Sequence, residues 1–248
     1  MKPLDTIPAL TWEEMARVDR ILIDDLGWDV LQLMEAAGRA VAEFARERFL
    51  DGNAEGRRVA ILAGRGNNGG DGLVAARYLH AWGAIVEVLL ASEPEHLGEI
   101  ARRQYELLRA LGLRHSASWE GPADLVIDAL LGFGLQRPPE GVTAELIRQA
   151  DGQAAPVLAV DVPSGLDATG GQAFEPCIRA TATLTLALPK RGLLTASAPL
   201  WTGGLFLADI GVPPAVYARL GHNVGAIFAR RSIVPLSGGD GVARLVAP

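Results

Sequence analysis

Apolar residues recur at helical spacing from Thr11 to Phe49: Met15, Val18, Ile21 and Leu22, then Leu33, Ala36, Ala37, Ala40, Val41 and Phe44. This pattern predicts two amphipathic helices separated by Gly27 and Trp28. Thr11 followed three residues later by Glu14 predicts a capping box on the first. After the polar stretch Asp51–Gly56, the run Val59–Ala63 is too short for a helix and rich in branched residues, as a buried parallel strand requires. A glycine-rich loop and a helix follow. The alternation continues with Ala84–Leu90 as strand, Glu95–Leu111 as helix, Asp124–Asp128 as strand, Thr143–Ala150 as helix and Val157–Val160 as strand.

Strands and helices that take turns imply parallel strands joined by right-handed crossovers, an α/β fold of the Rossmann-like three-layer α/β/α type with helices on both faces of a mostly parallel sheet. The late runs Thr183–Leu188, Leu205–Ala208 and Ala226–Phe228 read as strands with little helix between them, which predicts a mixed end to the sheet. No repeat, low-complexity tract or linker interrupts the chain, so residues 1–248 are expected to form a single domain with a loose tail from Ser237.

Composition narrows the function. Of 248 residues 49% are hydrophobic, and the formal charge is −6, so the chain supports a large core and lacks the cationic stripe of a nucleic-acid binder. No signal-peptide pattern or apolar run of about 20 residues points to secretion or a membrane. The single cysteine, Cys177, has no partner for a disulfide and reads as a packed small side chain. A cytoplasmic protein is expected.

Loops leaving the carboxyl ends of parallel strands converge on one crevice, and three of them carry unusual chemistry here. The first, Gly64-Arg65-Gly66-Asn67-Asn68-Gly69-Gly70-Asp71-Gly72, matches G-x-G-x-x-G between a strand and a helix, where free N–H groups face an anion. The carboxylate of Asp71 at the expected helix start and the two carboxamides are features that ordinary NAD sites do not need. The usual ribose-binding acid would be Glu93, a loose fit in spacing. In the second loop, Asp128 ends a strand and Gly132, Phe133, Gly134, Leu135, Gln136, Arg137 and Pro138 follow, offering backbone donors and a charged fork. The third runs from Asp161 through Pro163 and Ser164 to Asp167.

Asn68, Asp128 and Ser164 offer oxygen donors with one carboxylate among them, which suits a hard cation of low charge, with potassium the first choice. Asp161, desolvated beside Asp128, would have its pKa raised by burial and like charge and so both take and give protons. Each feature has a plainer reading: Asp71 as a helix cap, Asp128 as a binder of loop amides, Asp161 as part of a turn. Their joint occurrence on three loops of one edge favours a site. A Ser164, Asp209 and His222 hydrolase has the right residue types, but Val162-Pro163-Ser164-Gly165 lacks the first glycine of a nucleophile elbow.

Residues 63–77, Val126–Gly132, Asp161–Gly170 and Leu188-Pro189-Lys190-Arg191-Gly192 resemble the YjeF N-terminal domain of NAD(P)H-hydrate epimerases, as do Glu13-Glu14-Met15 with Asp19 and Leu33-Met34-Glu35-Ala36-Ala37-Gly38. The resemblance implies interconversion of the R and S forms of hydrated NADH or NADPH, which carry a hydroxyl at nicotinamide C6. It also implies substrate contacts from Asn67, Asn68, Gly69, Gly70, Asp71, Gly132 to Pro138 and Asp161, and potassium on Asn68, Asp128 and Ser164; the choice of potassium over sodium rests on it. Ala36, where relatives often have asparagine, and the proline-rich Leu135–Glu140 depart from the pattern. Lys190 matches without an assigned role. Many relatives continue into a dehydratase domain; with the chain ending at Pro248, a separate NAD(P)HX dehydratase is the expected functional partner, and a homodimer is compatible. The alternative is a non-catalytic binding or dimerisation module of the same family, which would not need the set Asn68, Asp71, Asp128 and Asp161.

Overall fold

The computed structural model describes residues 6–116, 119, 121–238 and 241–246. Nine strands form one sheet: β1 (Thr6–Ile7), β2 (Arg58–Ala63), β3 (Ile85–Leu90), β4 (Leu125–Ala129), β5 (Val157–Val160), β6 (Ala182–Leu186), β7 (Gly204–Ala208), β8 (Ile233–Ser237) and β9 (Ala243–Leu245). Their spatial order is β1-β9-β8-β7-β6-β5-β4-β2-β3. The strands from β3 to β7 run parallel, while β8, β9 and β1 close the other end antiparallel. Chain order reverses at β2, since β3 pairs on one side of it and β4 on the other. Loops leaving β2 and β4 therefore diverge and open a crevice between them.

The helices are α1 (Trp12–Arg20), α2 (Val30–Phe49), α3 (Asn67–Ala81), α4 (Glu99–Ala110), α5 (Gly141–Asp151), α6 (Pro199–Thr202) and α7 (Pro214–Ala218). Both members of the predicted capping box on α1 are present, Glu14 N–H to Thr11 Oγ1 and Thr11 N–H to Glu14 Oε2. Alternation along the strands splits the core into layers. Ile61, Ile127, Leu158 and Val160 face α2, α3 and α4. On the opposite side Leu62, Val126 and Ala159 meet Leu146 and Ile147 of α5, and Leu207 and Val234 meet Val18 of α1 and Tyr217 of α7. Among the described residues no helix is long and apolar enough to cross a membrane.

Three details differ from the sequence reading. Ala226–Phe228 lies in turns, and the strand comes later at Ile233–Ser237. The apolar run at 226–228 was ambiguous, and Pro235 disguised a strand that it interrupts on only one hydrogen-bonding side; its carbonyl still accepts from Val246 N–H. The tail is tied down where it is described, because β9 pairs with both β8 and β1. The helix predicted over Glu95–Leu111 begins at Glu99, after a short 3₁₀ turn at Pro94–His96.

The crossing of α2 and α3 is unusually close. A methyl group at Gly38 would lie 2.4 Å from Val74 Cβ and 2.6 Å from the Asp71 carbonyl oxygen. Gly38→Ala gains up to about 1 kcal/mol of helix propensity, but overpacking costs about 1–3 kcal/mol, and the nearest obstacles include backbone. Net destabilisation of about 1–2 kcal/mol is expected in a denaturant titration; an unchanged or higher midpoint would show that α2 can move aside freely.

Candidate active site

The crevice at the β2/β4 reversal is a cleft of about 850 Å³, toward the upper end of the range for small-molecule sites. Asn67, Asn68, Asp71, Gly132, Phe133, Gly134, Leu135, Gln136, Arg137 and Asp161 line it, so all three sequence-predicted loops reach it, the third through Asp161. Gly69, Gly70 and Pro138 do not line it, and neither do Asp128 and Ser164.

The glycine-rich segment is mostly helix. α3 starts at Asn67 with Gly66 as its N-cap and no side-chain cap, which overturns both the long loop and Asp71 as a cap. Its glycines allow contact with neighbouring backbone: a methyl at Gly69 would sit 1.8 Å from the Gly64 carbonyl oxygen, and one at Gly72 would sit 2.5 Å from Ala129 Cβ. The second turn of α3 is thus pressed against the strand ends, and the first-turn N–H groups open toward the cleft. After β3 the residues lining the cleft are Ala91 and Ser92, not Glu93.

Asp161 follows β5 in left-handed backbone geometry, φ 67°, and Ala187 after β6 has φ 65°. Two non-glycine residues so placed at one cleft store strain where chemistry is expected. Asp161 Oδ1 accepts from Leu186 N–H at 3.1 Å, from Thr185 Oγ1 at 3.3 Å and from Lys190 Nζ in a short ion pair. Lys190 is 1% exposed. Its ammonium also donates to the Leu186 carbonyl at 2.9 Å and to Thr185 Oγ1 at 3.4 Å, and Phe133 covers it with its ring centroid 5.8 Å away. The backbone of Pro189–Arg191 is pinned by Leu10, whose N–H donates to Pro189 O and whose carbonyl accepts from Arg191 N–H.

Two more carboxyls complete the cluster. Burial pushes Asp71 well above the ordinary carboxyl range, and the like charges of Asp161 and Asp19 add to this against the pull of Lys190. Asp19, on α1, is raised to about 6 by burial, with Lys190 opposing and Asp161 reinforcing the shift. The like-charge neighbours of Asp161 are therefore Asp19 and Asp71. Asp128 is not the neighbour of Asp161 that the strand ends led one to expect, because Asp128 shares the face of Val126 on the other side of the sheet. Sequence reasoning also left Asp19 and Lys190 without roles. Asp19 carried a legible signal, since it stands on the apolar stripe of Met15, Val18 and Leu22 where a carboxylate has no structural reason to be.

Asp128 is fully buried. Its Oδ1 accepts from Ser164 Oγ at 2.6 Å and Leu130 N–H at 3.2 Å, and its Oδ2 accepts from Ser164 N–H at 2.8 Å. Burial lifts its pKa to about 6 against these bonds. Ser164 Oγ in turn accepts from Leu131 N–H at 2.9 Å, so this group ties the loops after β4 and β5 together. Asn68 Nδ2 is buried without a hydrogen-bond partner, and the Asn68 side chain abuts Gly132. Among the described residues no group of three or more His, Cys, Asp or Glu side chains is placed to hold a metal ion. Ser164 is committed to Asp128, and His222 faces Glu14 at 3.4 Å, so the hydrolase triad does not assemble. Cys177 is buried and its thiol is pushed up to about 12, mainly by burial.

Because Asp19 is raised in the folded state, the native protein binds the proton more tightly than the unfolded chain. This stabilising contribution is complete below the unfolded value of 3.8 and is lost as pH rises through about 6. Asp19→Asn removes the cost of the buried charge. It is expected to raise stability by up to about 3 kcal/mol at pH 7 and to change it little at pH 4. Equal effects at both pH values in urea titrations would contradict the cluster's electrostatics.

Known proteins resemble the chain over most of its length. A family profile described as YjeF-related protein N-terminus matches residues 30–192. An NAD(P)H-hydrate epimerase of Dehalogenimonas lykanthroporepellens is 41% identical over 238 residues, covering 94% of this chain and 95% of its own. A bifunctional NAD(P)H-hydrate repair enzyme Nnr of Moorella thermoacetica is 40% identical over 86% of this chain, which spans 42% of that protein's length. A crystal structure of the yeast protein ynu0 superposes with a TM-score of 0.78 and 25% sequence identity, covering 93% of this chain and all of that one. The chain belongs to the YjeF-related N-terminal family.

Proposed function

We propose that the protein epimerises the hydrated nicotinamide of NADHX and NADPHX at C6, as an isomerase of metabolite repair. The observation that carries this reading is the buried Asp161–Lys190 pair opening into a cleft whose far wall is the bare N-terminus of α3. The damaged ring carries a hydroxyl beside a ring nitrogen, a hemiaminal, so its inversion needs a proton given to and taken from one oxygen. Asp161 is the acid/base group for that oxygen. Lys190 orients it and holds compensating charge, as a positioning residue. First-turn N–H groups of α3, together with Arg65, supply a site for the pyrophosphate. Asn67, Asn68 and the Gly132–Pro138 loop embrace the rest of the dinucleotide. A non-catalytic module would have no use for an ionisable cluster with strained backbone at its centre.

A potassium ion fits the donors at Asn68, Asp128 and Ser164. Asn68 brings a carboxamide oxygen beside Gly132, Ser164 Oγ keeps one lone pair after its two bonds, and Asp128 accepts three bonds where a carboxylate has about four sites. A low-charge cation can take these remaining sites without stripping the existing bonds. Bound there, it offsets the buried Asp128 charge and fixes the loops after β4 and β5 relative to α3. The relatives that join epimerase and dehydratase functions in one repair enzyme make a dehydratase the functional partner of this reading. We assign the working unit to residues 1–248 as one domain in the cytoplasm, with a homodimer compatible with it.

Proton NMR of a mixed R and S hydrate sample tests the assignment. Asp161→Asn is expected to slow epimer exchange at least a hundredfold while the fold is kept; exchange at the wild-type rate would remove Asp161 from the mechanism. Calorimetry of hydrate binding in potassium against lithium is expected to show tighter binding in potassium, and equal affinities would remove the cation site.

A further inference from the structure

We propose that Asp71 is the second proton carrier of the epimerisation, facing the reacting C6 oxygen from the α3 wall of the cleft while Asp161 faces it from the strand-end wall. This rests on the epimerase reading above. The geometry is specific. Asp71 sits in the second turn of α3, lines the cleft, is 8% exposed and has no hydrogen-bond partner among the described residues. Its backbone is held on three sides, by Gly38 of α2 against its carbonyl, by Gly69 against Gly64, and by Gly72 against Ala129. A carboxyl on so rigid a support, with its remaining exposure on the cleft, is placed to meet the group that binds there.

Charge around Asp71 sets its protonation. Asp161 after β5, Asp19 of α1 and Lys190 after β6 are the charged groups that act on it. From α2 and α4 the same turn meets apolar Met34 and Ala101 at Gly70. Burial with two like charges raises Asp71 well above the ordinary carboxyl range and so favours its protonated form, whereas Asp161 is ion-paired to a lysine. Two carboxyl groups lining one cleft, one paired to a lysine and one not, are the differently held pair that inversion needs.

Asp71 gives its proton to the C6 hydroxyl oxygen, the C6–O bond breaks with its electron pair going to oxygen, and water leaves. The N1 lone pair forms the N1=C6 bond of an iminium. A water then adds to the other face of C6, the N1=C6 π pair returns to N1, and Asp161 takes the surplus proton. One water leaves and one enters, with no oxidant or reductant. Reaction of the opposite epimer runs the same steps backward, with Asp161 as donor and Asp71 as acceptor, so the pair carries one proton throughout.

The test is the pH profile of epimer exchange for the wild type, Asp71→Asn and Asp71→Glu, with unfolding midpoints as a control. The wild type is expected to show a bell. Asp71→Asn is expected to lose about a hundredfold in kcat with KM changed less than about threefold, and to lose the alkaline limb, since its residual reaction no longer needs a protonated Asp71. Asp71→Glu is expected to recover at least a tenth of the rate. A purely structural role would move the rate without removing one limb. Wild-type kcat in Asp71→Asn, or loss with both limbs intact, would overturn the assignment and leave the epimerase reading standing. A wild-type protein that does not exchange the epimers would overturn both. If Asp71→Asn does not fold, Asp71→Ser carries the same test with the same outcomes.

Discussion

A lysine ammonium buried to 1% exposure is tolerable only if something pays its desolvation, and Asp161 does so. Breaking such a pair from one side costs about 3–5 kcal/mol, so both residues are locked into one arrangement. Thr185 and Leu186 at the end of β6 complete the shell on the strand side, and Phe133 covers it from the loop after β4. The positive φ of Asp161 and of Ala187 is the backbone cost of aiming these groups at one point. Leu10 straps the lysine's segment from the N-terminal side, which links the earliest described residues to the chemistry.

The opposing wall has the opposite character. Where the pair is held by charge and hydrogen bonds, α3 is held by the absence of side chains. Gly69 lets backbone meet backbone at Gly64, Gly38 admits Val74 and the Asp71 carbonyl, and Gly72 admits the Ala129 methyl, so the Asn-Asn-Gly-Gly-Asp turn is pressed onto β2 and β4 with little freedom to shift. Rigid placement on both sides lets a modest set of side chains act on a single ring carbon. Behind the wall, Asp128 and Ser164 join the loops after β4 and β5 and keep the two halves of the cleft in register.

Much of this was legible in the sequence because periodicity and strand-end loops report topology directly. The parallel strands from Val59–Ala63 to Leu205–Ala208, the Thr11 capping box and a crevice among the loops at the strand ends follow from local pattern and the crevice rule. Three things were not legible. The start of α3 was hidden because glycine and asparagine favour loops in isolation, while tertiary contact makes them helical here. Ile233–Ser237 was hidden by Pro235. The partners of Asp161 were hidden because Lys190 and Asp19 come from segments far along the chain, and like-charge neighbours are set by which face each side chain takes. Asp128 and Asp161 end adjacent strands yet serve different groups.

The decisive measurement is a crystal structure with the R or S hydrate of NADH bound. The C6 hydroxyl is expected within about 3 Å of an Asp161 carboxylate oxygen, with the pyrophosphate at the first turn of α3. A ligand bound the other way, with adenine over Lys190 and the nicotinamide near Ser92, would contradict it.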